Sequence, residues 1–420
     1  MNKFILKILL LFSCISLGAQ SKVFVRATKD NAVYKVGEEI TFEVKKYIPN
    51  STYTITDGYF TTEQAILTKE PIKYTPKQPG FVLVTISYPN KNDKLAKTYA
   101  GVAVEPQKIV AGTTLPKDFD EFWNNELTKL RSEALEIKET KVSSKLLPKN
   151  IEAVDVFIKR GDIIATAFVA YPKNAKTKSL SGCLTFLGAS KVNAELPVAL
   201  FYAKKFNCIA INVNFHGLEN HYPVDKDKLK TARIKTANYR YNFAGNKDLY
   251  AMRKIFLRTV LAAEYIMQHP LYDGNTLVAT GGSLGGCQSI VCTALVPEVK
   301  LCISNATAMC DHFGKKAKHI PGWPLLLKNV PAAEKSAGYF DVVNFMHRIK
   351  VPVRMAVGFI DTTCSPASTY AAFNTLTIKD KIMKHTVTGN HGAVIDKKDT
   401  GVFDFWTKEV GEFLVNKKLK

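Results

Sequence analysis

The second half of the chain alternates short apolar runs with helical stretches, and this alternation constrains the fold most strongly. GCLTFLG, CIAINVNF, TLVAT, VKLCISNA, VPVRMAVGFID and IMKHTVTG suit strands buried on both faces. Between two of these runs, one stretch has apolar residues three and four positions apart, as in an amphipathic helix: Leu249, Met252, Phe256, Val260, Ala263 and Met267. Strands that alternate with helices predict an α/β protein with a mostly parallel sheet covered on both faces.

Residues 20–106 have a different pattern. Segments such as EEITFEVKKY and FVLVTISYP alternate apolar and polar residues, and turn signals such as KVGEE and KQPG separate them. The spacing predicts a small immunoglobulin-like β-sandwich, without the cysteine pair of antibody domains. Two interpretations stay open: a spacer or packing module, or a carbohydrate-binding module that uses aromatic residues such as Tyr53 and Tyr59.

Residues 107–420 form the predicted catalytic domain, which begins with a connector at 107–118. IEAVDVFIKR and DIIATAFVAYP, with Gly161 between them, predict a β-hairpin. Before the hairpin, an amphipathic helix is predicted to bury one face: Phe119, Phe122, Trp123, Leu127 and Leu130.

Residues 1–19 have the layout of a cleavable signal peptide: two lysines, an apolar run and a small-residue end. We therefore expect export to the periplasm or the outside of the cell. Cys14 is an alternative site for lipid attachment, but Phe12 stands where a small residue is usually found. No other segment is long and apolar enough to span a membrane.

The cysteine pattern argues against a disulfide framework and against a structural metal. Seven cysteines remain after residues 1–19, most of them within apolar runs, so we expect buried free thiols. The sequence has no CxxC pair and no His/Cys cluster with zinc spacing. No cofactor is expected.

The chain is strongly basic, with a formal charge of +21. Removing residues 1–19 takes away Lys3 and Lys7 and no acid, which leaves +19. The lysines are scattered, which is typical of a solvated surface; the alternative is attraction to acidic glycans such as glucuronoxylan or pectin. A nucleic-acid partner is not expected, because no binding module is recognisable and the chain is predicted to be exported.

The stretch TLVATGGSLGGCQSI places Ser283 between a predicted strand and a predicted helix, in a GxSxG frame from Gly281 to Gly285. In a sharp strand-to-helix turn, the glycines relieve crowding and the serine hydroxyl is held exposed. The backbone N–H of Leu284 would then stabilise a developing oxyanion. The alternative is a glycine-rich turn with an N-capping serine.

A nucleophilic serine needs a base and an orienting carboxylate, and in hydrolases of this architecture they follow in the order serine, acid, histidine. Asp361 follows the run VPVRMAVGFI, and His391 lies in a turn after the last predicted strand. Both occupy the expected positions. His312, beside Asp311 at the end of another strand, is the strongest alternative base.

Two other loops are predicted to reach the same edge of the sheet. Ala189 follows the strand that ends in FLG, so the N–H of Ala189 or of its neighbour would be the second oxyanion donor. Phe215 and His216 follow the strand CIAINVNF and are candidates to line the substrate site.

Several stretches resemble the acetyl xylan esterase and cephalosporin C deacetylase family, the seventh family of carbohydrate esterases. They are LPKDFDEFW, the Gly-Gly-Ser-x-Gly-Gly of 281–286, and YFDVVNFMHRIKVPV followed by GFIDTTCSPASTYAAFN. The likeness covers roughly residues 113–415. It implies an α/β-hydrolase fold, a triad of Ser283, Asp361 and His391, and removal of O-acetyl groups from sugars without a cofactor. The family's closed assemblies make a homo-oligomer an open alternative.

The sequence departs from the family pattern at four places around the predicted site. Leu284 stands where the family usually has Gln, and Ala189 where it commonly has Tyr. Phe-His-Gly at 215–217 replaces Arg-Gly-Gln, and Gly392 replaces the Glu that follows the histidine. These departures leave the predicted triad unchanged and bear on the substrate.

The sequence therefore predicts a secreted serine esterase that deacetylates oligo- or polysaccharides. The alternatives are a peptidase or a longer-chain esterase or lipase on the same fold, and a glycan-binding protein without activity.

Overall fold

A computed structural model describes residues 23–90, 92–143, 145–405 and 407–417. The predicted signal peptide, residues 1–19, lies outside the described residues. Within these ranges, no helix combines the length and the apolar character needed to cross a bilayer.

The N-terminal strands form two β-sheets. The smaller sheet has the order β1 (Phe24–Ala27), β3 (Ile40–Lys45) and β6 (Ile72–Tyr74). The larger sheet contains β2 (Val33–Tyr34), β8 (Leu95–Val104), β7 (Gly80–Pro89), β4 (Thr52–Asp57) and β5 (Phe60–Ile66), in that order. Alternate residues of both sheets, such as Phe42 and Val84, are buried in one apolar cluster, as the period-2 pattern of these segments requires. The immunoglobulin-like class of this pair of sheets stays a prediction.

The following strands form a nine-stranded mixed sheet. From one edge to the other they are β17 (Lys381–Thr386), β16 (Val353–Gly358), β15 (Val299–Asn305), β14 (Tyr272–Gly282), β12 (Leu180–Phe186), β13 (Ile209–Asn214), β11 (Ile163–Pro172), β10 (Ile151–Arg160) and β9 (Leu135–Lys141). Neighbours from β17 to β13 pair in parallel, and those from β13 to β9 are antiparallel. The predicted mostly parallel sheet is confirmed, with an antiparallel extension that includes the predicted hairpin.

Helices cover both faces of this sheet. The helices among the described residues are α1 (Phe119–Ser132), α2 (Leu196–Phe206), α3 (Lys226–Lys235), α4 (Ala251–Gln268), α5 (Leu284–Leu295), α6 (Leu326–Asn329), α7 (Val342–Phe345), α8 (Pro366–Thr375) and α9 (Thr407–Asn416), of which α3 buries no residue. Short 3₁₀ turns lie at Pro106–Lys108, Gly314–Ala317, Pro331–Lys335, Ala337–Phe340 and Met346–Arg348. Consecutive strand residues face opposite clusters: Val169 packs with α1, α4 and α5, and Ala170 packs with α2 and α9. The two-sided burial explains why these strands are apolar throughout.

Two local predictions were wrong. Leu249 is 60% exposed, because α4 begins only at Ala251 and the preceding residues form turns, with the N–H of Tyr250 donating to the carbonyl of Asn246. The run IMKHTVTG contributes to an edge strand, β17, in which partly buried and exposed residues alternate up to the buried Thr386, rather than to a fully buried strand. An edge strand has a neighbour on one side only, which an apolar composition does not reveal.

Cysteine burial agrees with the prediction of free thiols. The seven cysteines that the structure describes are all buried and unpaired. They are Cys183, Cys208, Cys287, Cys292, Cys302, Cys310 and Cys364.

The N-terminal sheets pack directly against the mixed sheet at the end of β16. The rings of Phe81 and Phe359 meet edge to face, with centroids 5.3 Å apart. A Cβ at Gly101 would lie 2.3 Å from the carbonyl oxygen of Phe359, so the two backbones are in close contact. Asn374 of α8 donates to the carbonyls of Pro106 and Ile109 at 3.0 and 2.8 Å. These contacts anchor the N-terminal sheets next to the turn that follows β16.

Candidate active site

Ser283 occupies a one-residue turn between β14 and α5, with φ 59° and ψ −123°. This backbone conformation is strained for a residue with a side chain, and the surroundings hold it. The N–H of Ser283 donates to the carbonyl of Asn305 at 2.8 Å, and its own carbonyl accepts from the N–H of Ala308 at 3.1 Å. Both partners follow or end β15, so the neighbouring strand fixes the turn.

The glycines around Ser283 are required by close backbone contacts. A Cβ at Gly281 would lie 2.5 Å from the carbonyl carbon of Gly285. A Cβ at Gly285 would lie 2.2 Å from the carbonyl oxygen of Phe186, at the end of β12. Side chains at either position would force α5 away from the sheet, so the turn depends on both glycines.

Ser283, His391 and Asp361 form one chain of hydrogen bonds. Nδ1 of His391 lies 2.8 Å from Oδ2 of Asp361, and Nε2 lies 3.0 Å from Oγ of Ser283. An ionised carboxylate only accepts hydrogen bonds, so Nδ1 donates to it and Nε2 is left to accept from the hydroxyl. The sequence predicted these three residues, and the structure brings them together.

The carboxylate of Asp361 is buried and held on both oxygens. Its Oδ1 accepts the backbone N–H groups of Thr363 and Cys364 at 2.8 and 2.9 Å, while Oδ2 faces His391. The N–H of Ile360 also donates to the carbonyl of Gly389 at 3.1 Å. The turn with the carboxylate and the turn with the histidine are therefore tied to each other.

His312, the alternative base, lies in a different environment. It is fully buried, and its backbone N–H donates to Oδ2 of Asp341 at 2.6 Å. Burial lowers the pKa of its imidazole to about 4. Its neighbour Asp311 accepts the N–H groups of Gly112 and Thr113, both at 2.8 Å. Asp311 therefore anchors the connector, and the geometry favours His391 as the base.

The two predicted oxyanion donors lie next to Ser283. Leu284 is the first residue of α5, so its N–H has no acceptor within the helix and lies at the positive end of the helix dipole. A Cβ at Gly188 would be 3.7 Å from Cβ of Ser283, which places the loop before Ala189 alongside the serine. The Tyr239 hydroxyl donates to the Ala189 carbonyl at 3.3 Å. The loop is thus anchored at the residue proposed to donate.

Phe215 and His216 lie beside Tyr239. Phe215 is 1% exposed and packs against His216, with ring centroids 4.2 Å apart. His216 meets the ring of Tyr239 edge to face at 4.7 Å. Burial, assisted by Arg258, lowers the pKa of His216 to about 4, so the imidazole is neutral above that pH. Contact of these two residues with substrate stays a prediction.

Three residues near Ser283 were not anticipated from the sequence: Tyr239, Cys364 and Phe403. Burial raises the pKa of the Cys364 thiol well above its usual range, although a hydrogen bond with Ser283 opposes this shift. Cys364 lies three residues after the predicted acid Asp361, in the same turn, and this closeness in sequence could have indicated that it lies near the site. Tyr239 and Phe403 both lie in turns. The spacing of apolar residues predicts helices and strands only, so it could not identify either residue.

No grouping of three or more His, Cys, Asp or Glu residues suited to a metal ion occurs among the described residues. The expected absence of a metal and of a cofactor stays a prediction.

The mixed, mostly parallel sheet, the helices on its two faces and the serine between β14 and α5 define an α/β-hydrolase-like protein. The chain matches the family described as Acetyl xylan esterase (AXE1) over residues 105–318 and 329–408. It therefore belongs to the acetyl xylan esterase family, and it is a carboxylic ester hydrolase.

Individual relatives agree with this assignment. The chain is 29% identical over 314 residues to the acetyl esterase Axe7A of Xylanibacter ruminicola, which covers 72% of this chain and 69% of that protein. An acetyl xylan esterase from Paenibacillus sp. R4 superposes with a TM-score of 0.62 at 20% identity, covering 75% of this chain and 99% of the other. Acetyl xylan esterase 1 from Thermoanaerobacterium sp. JW/SL YS485 has a TM-score of 0.55 at 21% identity, with coverages of 74% and 97%. These two structures establish the likeness of fold.

Proposed function

We propose that this protein is a secreted serine esterase that removes O-acetyl groups from acetylated oligo- or polysaccharides. The observation that carries the proposal is the hydrogen-bonded chain from Ser283 through His391 to Asp361, at 3.0 and 2.8 Å. Membership of the acetyl xylan esterase family supports deacetylation as the reaction.

Acylation begins when Oγ of Ser283 attacks the acetyl carbonyl carbon and passes its proton to Nε2 of His391. Asp361 keeps the imidazole oriented and stabilises the positive charge that forms on it. When the tetrahedral intermediate collapses, the ester C–O bond breaks and His391 returns the proton to the sugar oxygen. The sugar leaves as an alcohol, and the acetyl group remains on Ser283.

Deacylation repeats the sequence with water as the nucleophile. His391 takes a proton from the water as the oxygen adds to the acetyl carbon. When this second tetrahedral intermediate collapses, the bond from the acetyl carbon to Oγ of Ser283 breaks, His391 returns the proton to Oγ, and acetic acid leaves and ionises to acetate. In both steps the N–H groups of Leu284 and Ala189 hold the oxyanion. One such donor is typically worth about 10² to 10³ in rate.

The finer assignments belong to the same proposal. We infer that residues 1–19 direct export, that residues 20–106 form an immunoglobulin-like module, and that residues 107–420 form the catalytic domain. Contacts of Phe81 and Gly101 with Phe359 support a packing role for the N-terminal module. The description of the family, acetyl xylan esterase, supports xylan-type substrates for this chain.

The proposal is tested by acetate release from a panel of acetylated polysaccharides, with 4-nitrophenyl acetate as a general ester. We expect Ser283→Ala to lower kcat by roughly 10⁵- to 10⁶-fold and Asp361→Asn by about 10⁴-fold. Ser289→Ala is the matched control, because this buried serine of α5 donates only to the carbonyl of Gly285, at 2.9 Å. Its activity should stay near that of the wild type. Unchanged activity of the Ser283→Ala variant would exclude the mechanism.

Two further measurements separate this proposal from its alternatives. Comparing acetyl with octanoyl esters distinguishes an acetylesterase from a longer-chain esterase or lipase. Failure of a fluorophosphonate probe to label the folded protein would instead support a glycan-binding protein without activity.

A further inference from the structure

An aromatic ring lies across the two glycines that adjoin Ser283 and His391. A Cβ at Gly282 would lie 2.0 Å from Cε1 of Phe403, and a Cβ at Gly392 would lie 3.0 Å from Cε2 of the same ring. The ring therefore touches the serine turn with one edge and the histidine turn with the other. It is 37% exposed, which is unusual for a phenylalanine with close contacts on both edges.

The exposure of this ring does not come from a loosely held segment. Val402, directly before it, is fully buried. The hydroxyl of Thr386, at the end of β17, donates to the carbonyl of Thr400 at 2.7 Å, and the N–H of Asp404 donates to the carbonyl of Gly401 at 2.9 Å. The backbone before the ring is thus anchored to β17, and the ring belongs to a hydrogen-bonded turn that holds it at the surface beside the site.

The glycines at both contact positions make room for the ring. Gly392 has φ +107°, a conformation that residues with a side chain rarely adopt, and the ring edge lies where its side chain would begin. The family that the sequence resembles has Glu where this chain has Gly392. In this chain the edge of the Phe403 ring lies where a side chain at position 392 would begin, so the site has an apolar surface there.

The chemistry of the leaving group places the sugar near this ring. His391 must protonate the sugar oxygen as the ester bond breaks, so the sugar has to lie within hydrogen-bonding distance of Nε2. Phe403 contacts the residue that follows His391 and the residue that precedes Ser283. A pyranose ring presents C–H groups on its flatter face, and the electron-rich face of an aromatic ring attracts them while both surfaces leave water.

We propose that Phe403 forms a stacking subsite for the pyranose ring that carries the acetyl group. This inference rests on the proposed function, since it assumes that His391 protonates a sugar hydroxyl. It assigns to Phe403 the selection of the alcohol part of the ester, whereas the oxyanion donors act on the acyl part.

The test compares three esters in Phe403→Leu and Phe403→Trp variants: an O-acetylated methyl xylopyranoside, ethyl acetate and ethyl butanoate. In Phe403→Leu, we expect the ratio of kcat/KM for the acetylated xyloside to that for ethyl acetate to fall roughly five- to tenfold. Phe403→Trp should keep the ratio, because it restores an aromatic face. Phe405→Leu, two residues further along, is the matched control; Phe405 packs against the core clusters, so this variant should keep the wild-type ratio.

Two results would overturn the subsite: equal losses on the xyloside and ethyl acetate, or a change that follows the acyl chain from acetate to butanoate. Measuring the affinity for an acetylated xylo-oligosaccharide distinguishes an incorrect subsite from an incorrect proposed function, because binding does not require catalysis. With Ser283→Ala as the parent, calorimetry with an acetylated xylo-oligosaccharide should show a Kd roughly five- to tenfold higher after Phe403→Leu is added. An unchanged Kd overturns the subsite even if the wild type is an active esterase. A raised Kd supports the subsite even if the wild type releases no acetate.

Discussion

At the scale of single residues, the arrangement at Ser283 depends on residues that are distant in sequence. His391 is 108 positions from Ser283 and Asp361 is 30 positions from His391, yet each pair is within hydrogen-bonding distance. Motif order was enough to predict these three positions, because each follows a strand that ends at the same edge of the sheet. It did not predict Tyr239, whose role depends on a contact with a loop 50 residues away.

The Tyr239 hydroxyl is expected to act as a positioning group for the oxyanion loop, because it holds the carbonyl of Ala189. Tyr239→Phe removes this hydrogen bond and keeps the ring packing against His216. We expect kcat to fall about three- to tenfold with little change in KM, since a displaced donor affects mainly the transition state. Steady-state kinetics on an acetyl ester measures both parameters.

Tyr250→Phe is the control for this experiment. The hydroxyl of Tyr250 donates to the carbonyl of Arg240 at 2.7 Å, so its loss loosens the same segment without touching Ala189. If both variants lose kcat equally, the effect of Tyr239 is a general loss of stability and the positioning role is wrong.

At the scale of secondary-structure elements, the sequence predicted whether a segment forms a helix or a strand better than it predicted what that element packs against. The five apolar residues expected on one face of α1 are all buried, because a period of 3.6 residues sets that face whichever element it meets. β17 was expected to be fully buried and is an edge strand, since its burial depends on its rank in the sheet. The contact of β7 and β8 with the end of β16 was not anticipated, because it joins segments more than 250 residues apart.

This contact predicts that the N-terminal sheets support the turn that carries Asp361. Phe81→Ala removes the edge-to-face contact with Phe359, two residues before Asp361, and leaves a cavity at the interface. We expect a loss of unfolding free energy of about 3 kcal/mol. Catalysis should fall several-fold even at temperatures where the variant is folded, as measured by circular dichroism and kcat on the same sample.

Phe42→Ala provides the comparison, because Phe42 is fully buried within the N-terminal cluster and lies on β3, in the sheet that does not contain β7 or β8. It should cost a similar unfolding free energy and leave kcat near the wild-type value while the protein is folded. Equal kcat in all three proteins would mean that the N-terminal sheets do not influence the acid turn.

At the scale of the whole molecule, the most prominent property is the large excess of positive charge. Lysine and arginine total 58 against 37 acidic residues, and most ion pairs among the described residues have at least one exposed partner. Such exposed ion pairs contribute little to the free energy of unfolding. The excess positive charge is instead expected to attract acidic polymers from solution.

We therefore expect KM for acetylated glucuronoxylan to rise several-fold between about 0.02 and 0.5 M NaCl, as the range of electrostatic attraction shortens from roughly 20 Å to 4 Å. An uncharged acetylated glucomannan is the control substrate, and its KM should change little over the same range. Equal salt dependence for the two polymers would contradict a role of the charge in substrate attraction.

The sequence by itself determined the elements and the order of the chemical groups. Side-chain periodicity is a local property, and GxSxG sets a local turn that only glycines permit. Tertiary structure alone decided which strand lies at an edge and that Phe403 covers Gly282 and Gly392. Those outcomes depend on which distant segments exclude water from a residue, and burial of this kind is a property of the packed chain rather than of any stretch of it.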